Sequence, residues 1–231
     1  ELLEGEHSIN TKQNDIAGNI SEASGSLSIT INATNPPAPD TPDMTAGSDT
    51  GSSSTDNITS DTTPDFSIVC ATGDIVTLYD GASSVGIGTC SGGTVTITAS
   101  TLSEGVHSAI HAKQSDVFGN TSDVSANLSI TIDTAADAAP GTPDLRSESD
   151  TGVSSTDNIT STTTPYFNVS CVTDSTVNLY DSTTLVGTMY CSQTSVAIPA
   201  SVLSEGVHQM NAKQTDVAGN ISIASDNLSV T

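Results

Sequence analysis

The sequence predicts an all-β protein, an elongated rod of tandem antiparallel β-sandwiches, and three observations predict it. The first is a long repeat: Asp49 to Ser60 returns at Asp150 to Ser161 with one change, Ser52 to Val153. The second is a period of two, with short alternating apolar runs such as Phe66, Ile68 and Cys70 broken by Gly, Asn, Asp or Ser clusters. The third is composition. Of 231 residues only 34% are hydrophobic, and Ser, Thr, Gly and Asn rather than charge make up the difference. Asp far outnumbers Glu among the 27 acids and there are only four Lys and Arg, so long helices built on Glu/Lys pairs are excluded.

The repeat sets the domain organisation. Pro64-x-Phe66 matches Pro165-x-Phe167, Leu78-Tyr79-Asp80 matches Leu179-Tyr180-Asp181, and Leu102 to His107 matches Leu203 to His208. Ala112-Lys113-Gln114-x-Asp116 followed by Gly119-Asn120 matches Ala212 to Asn220, and Lys12-Gln13 with Gly18-Asn19 fits the same template. Residues 1 to 34 are therefore the C-terminal part of a truncated repeat, residues 35 to 134 a complete one and residues 135 to 231 another. A unit of this length can bury its own core, unlike the short units of solenoids. Within it, Ile75 to Tyr79 and Val85 to Thr89 flank an Asp80-Gly81 hairpin turn, and Val95 with Ile97, then Leu128, Ile130 and Ile132, supply further strands. About seven strands per repeat make a two-sheet sandwich of Ig-like size and spacing. The tryptophan and cysteine positions of animal immunoglobulin domains are absent.

A net charge of -23 opposes binding to nucleic acid or to anionic membranes. No apolar run approaches the length that spans a bilayer, so no membrane insertion of this segment is expected. Glu1 begins in mid-pattern, without the basic start and apolar stretch of a cleavable signal, so no targeting address is expected within the chain.

The order Pro-Asp-Leu, Ser-Asp-Thr-Gly, Thr-Asp-Asn-Ile-Thr, Thr-Pro-x-Phe, Val-x-Leu-Tyr-Asp, Leu-Ser-Glu-Gly-x-His and Ala-Lys-Gln-x-Asp-x-x-Gly-Asn, closed by Leu-Ser-Val-Thr, resembles the bacterial Ig-like repeats of giant biofilm and surface adhesins. The resemblance covers the entire chain. It implies an extracellular, tandem, calcium-stabilised extension region that holds a distal binding domain away from the cell. The cysteine pair departs from it, since such repeats commonly lack one.

Cys70 and Cys90 recur at identical spacing as Cys171 and Cys191, which admits three readings. Zinc would need four clustered ligands, and the Cys-x-x-Cys spacing is missing. Free buried cysteines are a second reading. The favoured one is a disulfide in each repeat, Cys70 to Cys90 and Cys171 to Cys191, because the strand carrying the first cysteine ends where the following hairpin returns. Disulfides require an oxidising compartment.

Acids crowd the joint between the complete repeats. The strand order places the Asp49 to Asn57 segment at the downstream pole of one repeat and the Asp-x-x-Gly-Asn turn at the upstream pole of the next. Asp49 and Asp56 from one body, Asp133 and Asp137 from the linker, and Asp216 and Asn220 from the next body are thus expected to meet, with Glu104 a weaker candidate. An all-oxygen donor set without sulfur or imidazole is calcium (Ca2+) chemistry, magnesium demanding a tighter octahedron. The competing reading is that Asp, Asn and Gly are there as turn formers. The spacing is not that of an EF-hand loop.

Catalytic readings are weak. Asp49-Thr50-Gly51 and Asp150-Thr151-Gly152 formally match the paired motif of aspartic proteases, but polar residues rather than apolar strands lead into each Asp. No Gly-x-Ser-x-Gly elbow exists. His7, His107 and His208 occupy one equivalent position and read as structural, while His111 reads as a surface residue. The expected function is a non-enzymatic stalk segment of a secreted or surface-anchored bacterial adhesin, lying outside the cell, with neighbouring repeats of the same chain and other copies of the protein as partners. The alternatives are a module that itself binds a glycan or protein, or a subunit of an extracellular filament or surface layer. Repeat-specific aromatic or inserted residues, which would mark a binding module, are almost absent.

Overall fold

A computed structural model describes residues 1–231. It contains strands and turns and no helix. Residues 1 to 34 contribute one antiparallel ribbon, β1 (Gly5–Ile9) and β2 (Leu27–Ile31), paired from Gly5 with Ile31 to Ile9 with Leu27. Its side chains stay largely in solvent, because the rest of a sandwich is needed to cover the apolar face.

The middle repeat folds as β3 (Asp43–Met44), β4 (Ile58–Thr59), β5 (Asp65–Val69), β6 (Ile75–Asp80), β7 (Ser83–Thr89), β8 (Thr94–Thr98), β9 (Gly105–Ser115) and β10 (Leu128–Ile132). One sheet has the order β3-β5-β8 and the other β4-β10-β9-β6-β7. The last repeat has β11 (Asp144–Leu145), β12 (Tyr166–Ser170), β13 (Thr176–Asp181), β14 (Thr184–Tyr190), β15 (Ser195–Pro199), β16 (His208–Thr215) and β17 (Leu228–Val230), in sheets β11-β12-β15 and β14-β13-β16-β17. The predicted hairpin forms between β6 and β7, with Gly81 and Ala82 at its tip.

Alternation puts one face of each strand inside. Phe66 and Ile68 from one sheet meet Val76, Leu78, Ile110, Ala112, Ile130 and Ile132 from the other in a core confined to the middle repeat. Phe167, Val169, Val177, Leu179, Ile198 and Met210 build an equivalent core in the last. Each repeat therefore carries its own hydrophobic stabilisation.

The serines have a structural task. After the turn that follows β9, Ser122 and Ser125 accept hydrogen bonds from Gln114 N (3.0 Å) and Ala112 N (2.9 Å), while their own backbone N–H groups donate to the carbonyls of those residues. Side-chain oxygens thus continue a ladder where the second strand is irregular. Ser222 and Ser225 do the same against β16, and Ser21 and Ser24 do so in the ribbon at Gln13 and Thr11.

Two disulfides close the repeats. Cys70 follows β5 and joins Cys90, which follows β7, so the bond ties one sheet to the edge of the other; Cys171 and Cys191 repeat the arrangement after β12 and β14. No free cysteine remains.

Candidate junction site

The complete repeats meet across the segment from Asp133 to Gly141, and both bodies grip it. From the upstream side, Asp133 N donates to Thr59 O (2.9 Å), and Thr134 donates its N–H (2.9 Å) and its hydroxyl (2.6 Å) to Glu104 Oε2. From the downstream side, Asn220 Nδ2 donates to Asp133 O (2.8 Å), Ser175 Oγ to Asp137 Oδ2 (2.7 Å), Gln214 Nε2 to Ala138 O (2.8 Å), and Gly141 N to Ser170 O (2.9 Å).

Gln214 was legible in the sequence only as part of a repeated word. It lies on the inward face of β16 at 1% exposure, with Oε1 accepting from Val172 N (3.0 Å), so both halves of a buried amide are used. Gln114 anchors Pro37 O (2.7 Å) and Ala71 N (2.9 Å) in the same way. The signal was an uncharged amide in phase with the apolar positions Ile110 and Ala112.

Two groupings describe the acids. Asp216 accepts from Asn220 N through Oδ1 (2.8 Å) and from Asn220 Nδ2 through Oδ2 (3.0 Å), so it braces its own turn. Asp116 is bonded alike to Asn120, and that side-chain bond is the chief reason its carboxyl titrates below the usual range. Burial raises the Asp133 carboxyl above its ordinary value, and the nearby charges of Asp216, Glu104 and Asp137 add to the effect. Glu104 is held lower by the hydroxyl and N–H of Thr134. Asp133, Asp137, Asp216, Asn220 and Glu104 thus share one neighbourhood.

Asp49 and Asp56 form the other grouping. Asp49 is 4% exposed; its Oδ2 accepts from Asn57 N (3.1 Å), and its Oδ1 is buried with no hydrogen-bond partner. Burial pushes its carboxyl up, and the adjacent Asp56 pushes it further. Asp56 Oδ1 accepts from Ile58 N (3.1 Å). The donors are all oxygen, as calcium requires, and an orphaned buried carboxylate oxygen beside a second carboxylate suits a hard cation. Nowhere do three acidic, His or Cys side chains converge into a ready-made cage.

The loop carrying Asp49 also touches the next repeat directly. Thr50 Oγ1 donates to Ala218 O (2.7 Å), and Ser52 N donates to Val217 O (3.1 Å). The two Asp-Thr-Gly segments do not share a proton, since Asp49 Oδ1 and Asp150 Oδ1 both lack partners while each Oδ2 accepts from its own repeat, at Asn57 and at Asn158 (3.2 Å).

Other expectations need amendment. His111 is half-buried and stacks on Tyr79, ring centroids 5.4 Å apart, because the two are cross-strand partners of β9 and β6. Repeat-specific aromatics are less scarce than expected: Tyr166 and Tyr190 stand exposed where the middle repeat has Asp65 and Thr89, although they project from different sheets. A cavity of about 390 Å³ lies at the downstream pole of the last repeat, lined by Thr160, Glu205 and Thr231 among others. In the middle repeat, Ile132, Asp133 and Thr134 cover the matching ground through Thr59 and Glu104.

Among solved structures, the chain is similar to a BSP domain of a biofilm-associated protein (20% identity, TM-score 0.30, covering 75% of this chain and 28% of that one). It is also similar to a Ca2+-stabilized adhesin with which an Antarctic bacterium binds ice (18% identity, TM-score 0.43, 98% of this chain and 56% of that one). A further likeness is to a 1.5-MDa bacterial ice-binding adhesin (16% identity, TM-score 0.40, 95% and 71%). The chain spans just over a quarter of the first of these. Comparison with curated protein sequences finds no match. The model of the bacterial Ig-like domain matches residues 35–134 and again residues 137–231, so two copies cover all of the chain but residues 1–34 and two linker residues, and the chain belongs to the bacterial Ig-like domain family.

Proposed function

We propose that the chain is a stalk segment of a secreted or surface-anchored bacterial adhesin, a non-enzymatic spacer outside the cell whose junctions calcium stiffens. The observation that carries the reading is the linker held from both sides: two bodies with separate cores are joined by a segment whose backbone and side chains are bonded to one or the other. Domains joined loosely move relative to one another, and a spacer gains reach when they do not. Family membership and a disulfide in each repeat, which suits an oxidising compartment, support the location. For calcium, the support is the unpaired Asp49 Oδ1 beside Asp56, and Asp133 among Asp137, Asp216 and Glu104. Bound there, the ion would neutralise carboxylates that otherwise repel.

Small-angle scattering and calorimetry with calcium and then with chelator test this. Calcium is expected to lengthen the particle and raise its melting temperature, the ion stabilising the folded state by about 2.7 kcal/mol per site at a hundredfold excess over Kd. Identical dimensions and melting in both conditions would leave the aspartates as turn residues and remove the metal from the proposal.

A further inference from the structure

The two Asp-Thr-Gly segments are nearly identical in sequence and conformation but not in surroundings, and the difference isolates what they do. Gly51 and Gly152 both adopt positive φ, +99° and +107°. A Cβ added at Gly152 would meet nothing within 4 Å, whereas one at Gly51 would collide with the Val217 carbonyl of the next repeat. On the opposite side, a Cβ at Gly219 (φ +95°) would come within 3.1 Å of Gly51 Cα. Two backbones are therefore packed glycine against glycine. Thr50 Oγ1 accepts from Ser60 N (2.9 Å) inside its own loop and directs its proton to Ala218 O (2.7 Å); Thr151 accepts alike from Ser161 N (2.8 Å) with no neighbour beyond. Ser52 N completes the contact on Val217 O.

We infer that the Thr-Gly-Ser loop is a docking surface that seats the Asp-x-x-Gly-Asn turn of the following repeat and fixes how one repeat is set on the next. Both bonds end on main-chain carbonyls and glycine allows the close approach, so the loop seats the backbone of the turn, and the small Ala218 is buried there. The partner it fits is a following repeat that carries this turn with a small residue at the Ala218 position. Asp116 to Asn120 repeats the backbone of the turn, with Gly119 at φ +91° and Phe118 in place of Ala218, and Thr151-Gly152 repeats the loop. The contact uses no carboxylate and is separate from the metal reading.

The test uses residual dipolar couplings on the full chain in saturating calcium. Alignment tensors of the two complete repeats should coincide in the wild type and in the control variants Gly152→Val and Thr151→Val, which disturb the same loop away from the junction. They should part in Gly51→Val and in Thr50→Val, with the amide spectrum of each repeat's core preserved. Thr50→Val keeps the backbone unstrained, so it decides the matter even where Gly51→Val disrupts the middle repeat. Coincident tensors in Thr50→Val and Gly51→Val would overturn the inference. Calcium dependence of the wild-type tensors, measured alongside, reports on the metal reading alone.

Discussion

His208 places both ring nitrogens against acceptors, Nδ1 on Asp181 Oδ2 at 2.7 Å and Nε2 on Ser204 O at 2.9 Å. Neither a carboxylate nor a carbonyl can donate, so the ring satisfies both only as an imidazolium. The Asp181 bond is the largest cause of a raised pKa, the Ser204 carbonyl adds to it and burial opposes it. At His107 burial is the largest influence and opposes charging, yet the bonds to Ser103 and Asp80 together prevail. A folded-state pKa above the unfolded value means the stabilisation is complete below the unfolded pKa and is lost as pH rises through the folded one. Melting temperature should accordingly fall as pH rises above the ordinary histidine range, and replacing both histidines by Gln should flatten that slope at a cost of about 2 kcal/mol per repeat at the acid end. An unchanged slope in the double variant would show that other groups set it. The structural role was legible in the equivalent positions of the histidines; the partner was not identified, although Asp80 and Asp181 recur at the same offset as the rings they hold.

At the scale of elements, what could be read was whatever has a period. β5, β6, β8 and β10 alternate over five or six residues, and the sandwich followed from them. β3, β4 and β11 are two residues long, too short to show alternation, and β4 is fixed by parallel pairing with β10, which no local pattern announces. Ser122 and Ser125 read as turn composition because nothing in a serine says that its hydroxyl will replace a strand's carbonyl. The cysteines were legible through duplication. Each disulfide spans 20 residues, so removing one by Cys171→Ala and Cys191→Ala should cost about 3 kcal/mol in the chain-entropy picture. With separate cores, calorimetry should show one transition moving down and the other staying. A common shift of both would mean that the repeats unfold as a unit.

For the molecule as a whole, the question is whether the acids act as pieces of one joint or as separate loops. Charge from Asp56 bears on Asp49, while charge from Asp137, Asp216 and Glu104 bears on Asp133, and the loop holding Asp49 is docked on the turn holding Asp216 through Thr50 and Ser52. Sequence order was enough to bring these segments to one joint. It could not show how they divide, because that depends on which lone pairs the backbone has already claimed: both Asp216 oxygens are in use, whereas Asp49 Oδ1 is free. Asp150 repeats the free oxygen at the far pole, where the last repeat presents its loop to no neighbour within the chain. If calcium stiffens the joint, Asp49→Asn or Asp56→Asn should lower the bound calcium and shorten the particle in scattering. Asp150→Asn should leave the shape of the joint and its calcium untouched, whatever it does to binding at its own pole. Equal effects of Asp49→Asn and Asp150→Asn on length would mean that each loop titrates for itself, and that rigidity at the joint comes from the docked backbones and the gripped linker without the ion.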